Sequence, residues 1–277
     1  MLHERTSRRG VIASAAAAGL VPLVAARAQE PYTEISYQSG RLRIQGYFYH
    51  PTGSGPFPTI IYNHGSRVRS ERRPIPWVRL AGLYVAAGYA VLVPERRGYG
   101  RSEGPTWSEA VGGDVGSLLI SRLQAEADDV LAAAEYLRSL PFVDIRRLGV
   151  AGWSLGGIIT LFAISRSRSF RAAIDQAGGA LTWRFSPALQ AALTQAVRIA
   201  TCPVLLMEAR NDSAPEAIPT LSRVMDAAGL PHRLIMYPPF TPTAWEAAVA
   251  QGHLLFSAQG LPIWGRDAID FFNAYLR

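Results

Sequence analysis

Gly152-Trp153-Ser154-Leu155-Gly156-Gly157 follows a short apolar run at residues 148–151 and opens a helical stretch at 156–165. A serine hydroxyl is a weak nucleophile at neutral pH, and it needs exposure and a base within hydrogen-bonding reach. A sharp turn from strand into helix provides the exposure, because it lifts the central residue above the sheet in a strained conformation. Strand and helix nearly touch at such a turn, so the residues two before and two after the serine must be small. Gly152 and Gly156 meet that need. The helix start also presents unpaired N–H groups and a positive dipole end to a developing negative charge. This context makes Ser154 the candidate nucleophile.

Outward from this turn, apolar runs and helical stretches alternate. Residues 59–62, 90–93, 148–151, 172–174, 204–207 and 234–237 are short and apolar, as strands buried on both faces are. Between them lie helical stretches at 77–87, 118–140, 156–165, 188–200, 216–228 and 263–276, with Gly229 a left-handed cap after the fifth. Residues 33–37 and 41–49 alternate in polarity around Ser39-Gly40, which predicts an antiparallel hairpin at a sheet edge. The pattern predicts an α/β fold, a three-layer sandwich around a mostly parallel central sheet. Only residues 175–203 separate two consecutive strands at the place where a lid would enter, so no large lid domain is expected. Ligands in such sheets bind beyond the carboxyl ends of the strands.

The chain resembles the α/β-hydrolase superfamily, and within it the dienelactone-hydrolase-like branch, from about Tyr32 to Arg277. The features that carry the resemblance are GWSLGG after a strand, Tyr62-Asn63-His64-Gly65, and Arg97-Gly98-Tyr99-Gly100-Arg101-Ser102. It implies hydrolysis of a small-molecule ester, or a related acyl derivative, by a Ser–Asp–His triad without a cofactor. Founding dienelactone hydrolases carry cysteine where this sequence has Ser154, so their particular substrate is not carried over.

The order implied by the resemblance is nucleophile, acid, histidine. Downstream of Ser154 only His232 and His253 remain. His232 stands at the amino end of a strand, whereas His253 lies beyond the carboxyl end, where a base could reach Ser154. For the acid, Asp212 in Ala209-Arg210-Asn211-Asp212 is similar to the family's turn, with alanine in place of its usual glycine. Asp175, at the end of the preceding strand, is the alternative, and Glu208 is read as a supporting residue. The oxyanion donors are expected to be the backbone N–H groups of Leu155 and Ser66, with Arg67 the alternative to Ser66. His64, in the His-Gly turn, is read as structural.

Composition sets the remaining expectations. The 277 residues include no lysine, a single cysteine (Cys202) and a formal net charge of +7. The surplus is scattered, with part of it at the N-terminus, so no nucleic-acid partner is expected. Cys202 lies in an apolar stretch and reads as a small buried side chain. H-E-x-x-H, paired cysteines and a Walker loop are all missing from the sequence, so no metal or phosphate site is expected.

Arg8-Arg9, an apolar run at 11–24 and Ala26-Arg27-Ala28 follow the order of an export signal, and the arginine pair resembles a twin-arginine one. The expected division is a signal peptide at 1–28 and a catalytic domain at 29–277. The mature protein would lie in the periplasm or outside the cell, without a membrane anchor. The arginine-rich loop at 67–73 and the segment at 104–113 are candidate pocket walls. Two other functions fit part of the pattern, a serine peptidase of the prolyl-oligopeptidase kind and a non-catalytic periplasmic binding protein on the same fold.

Overall fold

A computed structural model describes residues 31–67, 70–244 and 249–277. The proposed export signal lies outside the described residues. Eight strands form one sheet: β1 (Thr33–Ser39), β2 (Leu42–Tyr49), β3 (Phe57–Asn63), β4 (Ala90–Glu95), β5 (Val143–Trp153), β6 (Ala172–Gln176), β7 (Val204–Ala209) and β8 (His232–Tyr237). The helices are α1 (Val78–Ala86), α2 (Trp107–Ala110), α3 (Ser117–Leu137), α4 (Leu155–Arg166), α5 (Pro187–Arg198), α6 (Ala217–Ala227) and α7 (Leu261–Leu276). Short 3-10 turns cover Trp183–Phe185 and Gln251–Phe256.

The sheet order is β1-β2-β4-β3-β5-β6-β7-β8. β1 and β2 form the expected antiparallel hairpin, β2 is also antiparallel to β4, and all other neighbours are parallel. Strand side chains alternate between two cores. On one face Ile61, Val150, Ala173 and Leu206 pack with Leu123, Ile159, Leu193 and Ile218 of α3, α4, α5 and α6. On the other, Ile60, Ala151, Ile174 and Leu205 pack with Tyr84, Trp264 and Phe272 of α1 and α7. Helix α4 is buried from Leu155 to Ile164, as its almost uniformly apolar sequence requires.

Chain order reverses between β3 and β5, so the loops leaving these two neighbouring strands open a crevice at the sheet's carboxyl edge. One of these loops holds His64-Gly65-Ser66 and the other holds Ser154. Between β6 and β7 the chain forms only a 3-10 turn and α5, and no lid domain intervenes. Gly229 takes the left-handed conformation (φ 66°) just past α6, and Cys202 is buried.

Several element boundaries shift by up to three residues from the sequence reading, and two differences go further. β5 begins five residues earlier, at Val143, because its first turn of chain pairs at Phe57↔Val143 before a register shift. Trp107–Ala110, read as irregular, forms a short helix closed by a capping box between Thr106 and Glu109.

Candidate active site

Ser154 caps α4 with φ 57° and ψ −119°, a conformation that costs energy in any L-residue. The surroundings enforce it. The Ser154 N–H donates to the Gln176 carbonyl at 2.7 Å, which ties the turn to β6. A Cβ at Gly152 would fall 2.2 Å from the Gly156 carbonyl oxygen, and one at Gly156 would fall 2.0 Å from that of Asn63. Both glycines are therefore required by contact between strand and helix.

The 3-10 turn Gln251–Phe256 brings His253 over the serine. His253 Nε2 lies 2.9 Å from Ser154 Oγ, and Nδ1 lies 2.8 Å from Asp212 Oδ2. With Asp212 as a carboxylate acceptor, Nδ1 carries the hydrogen and Nε2 is free to accept the serine proton. All three residues are buried, His253 to 3% exposure and Ser154 to 8%. The other oxygen of Asp212, Oδ1, accepts the Ser213 N–H.

Two small features allow this approach. A Cβ at Gly252 would sit 2.5 Å from Asn211 Oδ1, so only glycine lets the histidine turn close on the Asp212 loop. Asn211 in turn holds the segment after β8, exchanging two 2.9 Å hydrogen bonds with the Phe240 backbone. Trp153 Nε1 donates to the His253 carbonyl at 3.1 Å.

Leu155 and Ser66 line one cavity of about 200 Å³ beside Ser154, with Trp107, Ile158, Gly179 and Thr182. The Leu155 N–H belongs to the first turn of α4, which lacks intrahelical acceptors. A smaller cavity of about 100 Å³, on the His253 side, is lined by Gly65, Trp153, Val249 and Leu254. Ser66, Ser154 and Leu181 border both.

The alternatives fall elsewhere. Asp175 is a fully buried member of β6 whose Oδ1 accepts the Gly178 N–H at 2.9 Å, and burial pushes its carboxyl up to about 7. Its one hydrogen bond is to that amide, and the carboxylate in contact with His253 is that of Asp212. His232 bonds Ser222 at 2.8 Å, at the opposite end of the strands. His64 is buried, with Nδ1 2.7 Å from the Gly65 carbonyl and its ring against Trp77 and Tyr99. Burial, followed by Arg96 and Arg67, pulls its pKa well below the usual histidine range, so it is neutral.

In the described part of the arginine-rich loop, two arginines are committed to the scaffold. Arg67 turns inward to a buried ion pair with Glu95, and Arg72 donates to the carbonyls of Ser102 and Gly104 at 2.8 and 2.7 Å. Arg69 lies outside the described residues. Glu95 also accepts the Ile75 N–H at 2.8 Å, and burial, opposed by Arg67, leaves its pKa raised.

Behind it, Arg96 donates to the His64 carbonyl at 2.8 Å and to Glu126 at 2.7 Å, while Arg97 pairs with Asp129 at 2.7 Å. Glu126 also receives Arg122 at 2.7 Å. This lattice fixes the turn bearing Ser66. Sequence reasoning missed its acids. The available signal was the i, i+3 spacing of Glu126 and Asp129 on α3, which places both on one helix face.

Comparison with known proteins agrees with this architecture. A profile of the prolyl oligopeptidase family matches residues 78–186. The chain is 28% identical over 143 residues to the quorum-quenching protein AidA of Acinetobacter baumannii, a match covering 52% of this chain and 42% of that protein. It spans less than half the length of the curated relatives it matches.

Among solved structures, the acylaminoacyl peptidase of Pyrococcus horikoshii superposes with a TM-score of 0.68 at 19% identity, over 88% of this chain and 41% of that one. A dienelactone hydrolase from Anabaena variabilis superposes with a TM-score of 0.62 at 20% identity, over 90% of this chain and 100% of that one. The chain thus has the α/β-hydrolase fold, the architecture it shares with dienelactone hydrolase and with the acylaminoacyl peptidase.

Proposed function

We propose that this protein is a serine hydrolase that cleaves a small, uncharged carboxylic ester through an acyl-enzyme intermediate. The observation that carries the reading is the pair of contacts from His253, 2.9 Å to Ser154 Oγ and 2.8 Å to Asp212 Oδ2. In the first half-reaction Ser154 Oγ attacks the ester carbonyl as its proton passes to His253 Nε2. The Leu155 and Ser66 N–H groups meet the oxyanion, where each such donor contributes several kcal/mol in typical enzymes. His253 then returns the proton to the departing alcohol. Water repeats the sequence and releases the acid.

An uncharged substrate is favoured by the two cavities flanking Ser154, where His253 is the only titratable side chain among the described lining residues. The histidine must protonate the leaving group, so the alcohol belongs in the cavity that His253 borders and the acyl group in the other. A peptidase activity is the second reading. It is favoured by the prolyl oligopeptidase profile, whose match includes the Ser154 turn.

Purified protein assayed against p-nitrophenyl esters, a simple lactone and amino-acid anilides separates the two readings. The expected result is turnover of short-acyl esters with little anilide cleavage. A fluorophosphonate should label Ser154, and Ser154→Ala should lose both labelling and turnover. Full activity in that variant overturns the assignment.

From Arg8-Arg9, the apolar run at 11–24 and Ala26-Arg27-Ala28, we further propose that the enzyme is exported from the cytoplasm. Its mature chain should begin near Gln29, and replacing Arg8 and Arg9 together by lysine should retain it in the cytoplasm. An intact N-terminus on exported protein would overturn the cleavage site.

A further inference from the structure

Buried carboxylates in this protein are matched with arginine almost everywhere. Glu95 has Arg67, Glu126 has Arg96 and Arg122, and Asp129 has Arg97. Behind the candidate triad the pattern stops. Asp175 and Glu208 are both fully buried, and among the described residues neither forms an ion pair with any arginine or histidine. Asp175 stands opposite Leu206 in the β6–β7 ladder, so Glu208, two residues on, shares its face as a diagonal neighbour. The next turn returns Asp212 to the same end of β7, its N–H donating to the Ala209 carbonyl at 3.1 Å.

Glu208 has one satisfied oxygen. Oε1 accepts the Ala209 N–H at 2.9 Å, while Oε2 is buried without a partner, as is Asp175 Oδ2. Three ionised carboxylates with one imidazole and no guanidinium would be a severe desolvation penalty. A protonated carboxyl turns an orphaned acceptor into a donor, and the Asp212 carboxylate has lone pairs left after binding Ser213 and His253.

Resting on the triad reading above, we propose that Glu208 is a positioning residue held as an uncharged carboxylic acid, which donates its proton toward Asp212 and orients that carboxylate for His253.

The surroundings agree on every side. Burial first, and the neighbouring Asp212 carboxylate second, hold the Glu208 pKa well above the usual range, with Asp175 adding in the same direction. β8 presents Met236 in register with it, and Arg210 further along the chain is exposed. A neutral acid keeps a donor beside Asp212 without adding a second negative charge beneath the imidazole. Glutamine, which also donates without charge, should substitute for it, and leucine should not.

The test compares Glu208→Gln and Glu208→Leu in the full chain, with kcat, KM and the pH profile of kcat/KM on a p-nitrophenyl ester. The Gln variant should keep kcat within about threefold and leave the acid limb of the profile in place. The Leu variant should keep KM and lose about tenfold to a hundredfold in kcat, the equivalent of one hydrogen bond to a charged group.

An infrared difference spectrum between wild type and the Gln variant at neutral pH should show loss of a protonated-carboxyl stretch, and this readout needs no activity. A downward move of the acid limb by about one unit in the Gln variant would mean that a negative charge had been removed, and would overturn the proposal. So would a missing infrared band, or a folded Leu variant with wild-type kcat. Ester turnover surviving in Ser154→Ala would instead overturn the triad, while leaving the infrared result to stand or fall separately.

Discussion

The Asp175 carboxyl fills the space in front of Gly157, where a Cβ would fall 2.1 Å from its Oδ1. An acid is thus wedged against the first turn of α4, with the Gly178 amide as its one hydrogen-bond donor. Burial raises its pKa from 3.8 to about 7. The folded protein therefore keeps this proton across an interval where the unfolded chain has lost it. The associated stability is complete below about pH 4 and drains away as pH rises toward 7, with a slope of up to about 1.4 kcal/mol per pH unit. Thermal unfolding at pH 5 and pH 8 should show this loss, and Asp175→Asn should flatten it and melt higher than wild type at pH 8. An unchanged pH dependence in the Asn variant would refute the assignment.

Asp212→Asn should lower kcat at neutral pH by at least about a hundredfold with little change in melting temperature, because the amide favours the wrong imidazole tautomer. Asp175→Asn should cost far less. Steady-state kinetics of the two variants on one ester decides the matter. The reverse order of severity would move the acid to β6.

The Arg67–Glu95 pair anchors the turn that carries Ser66. Glu95→Ala leaves a buried guanidinium without its partner and should cost about 3–5 kcal/mol in denaturant unfolding. It should also lower kcat by releasing the turn that carries the proposed oxyanion donor Ser66. The double variant Arg67→Met with Glu95→Leu should recover most of the stability, since no charge is then stranded. Equal destabilisation in single and double variants would show that the cost is packing alone.

Two glycine-to-alanine changes should have opposite outcomes. At Gly156 the new methyl would collide with the Asn63 carbonyl, so the variant should unfold at lower temperature and lose turnover. At Gly82, exposed in the middle of α1, nothing lies within 4 Å of the new methyl. There alanine should raise stability by about 0.5–1 kcal/mol through helix propensity and reduced unfolded-state freedom. Melting temperatures of the two proteins provide the comparison.

The strand–Ser154–helix turn was legible because its glycines and flanking apolar runs are local requirements, readable within fifteen residues. The position of His253 followed from the loop side of the sheet, although its 3-10 turn did not, since such turns leave no periodic signal. The extent of β6 was not legible for a physical reason. An acid at the end of a short apolar run looks like the first residue of a loop, whereas β6 continues through Gln176 with both side chains buried. The arginine lattice was invisible as well. Its partners lie about thirty residues apart in sequence, as in Arg96 with Glu126 and Arg67 with Glu95. The arginines of residues 67–73 therefore read as a pocket wall, although Arg67 and Arg72 serve the scaffold.

Trp153 is bonded to the His253 carbonyl, and its ring centre lies 5.6 Å from the imidazole. An indole this close to an imidazole is an optical probe built into the chain, because a charged imidazolium quenches excited indole by electron transfer far better than the neutral ring does. Emission from Trp153, isolated by converting the other tryptophans to phenylalanine, should dim as His253 gains a proton. The protonation state of the proposed base could then be followed by light in the resting protein, with no substrate present.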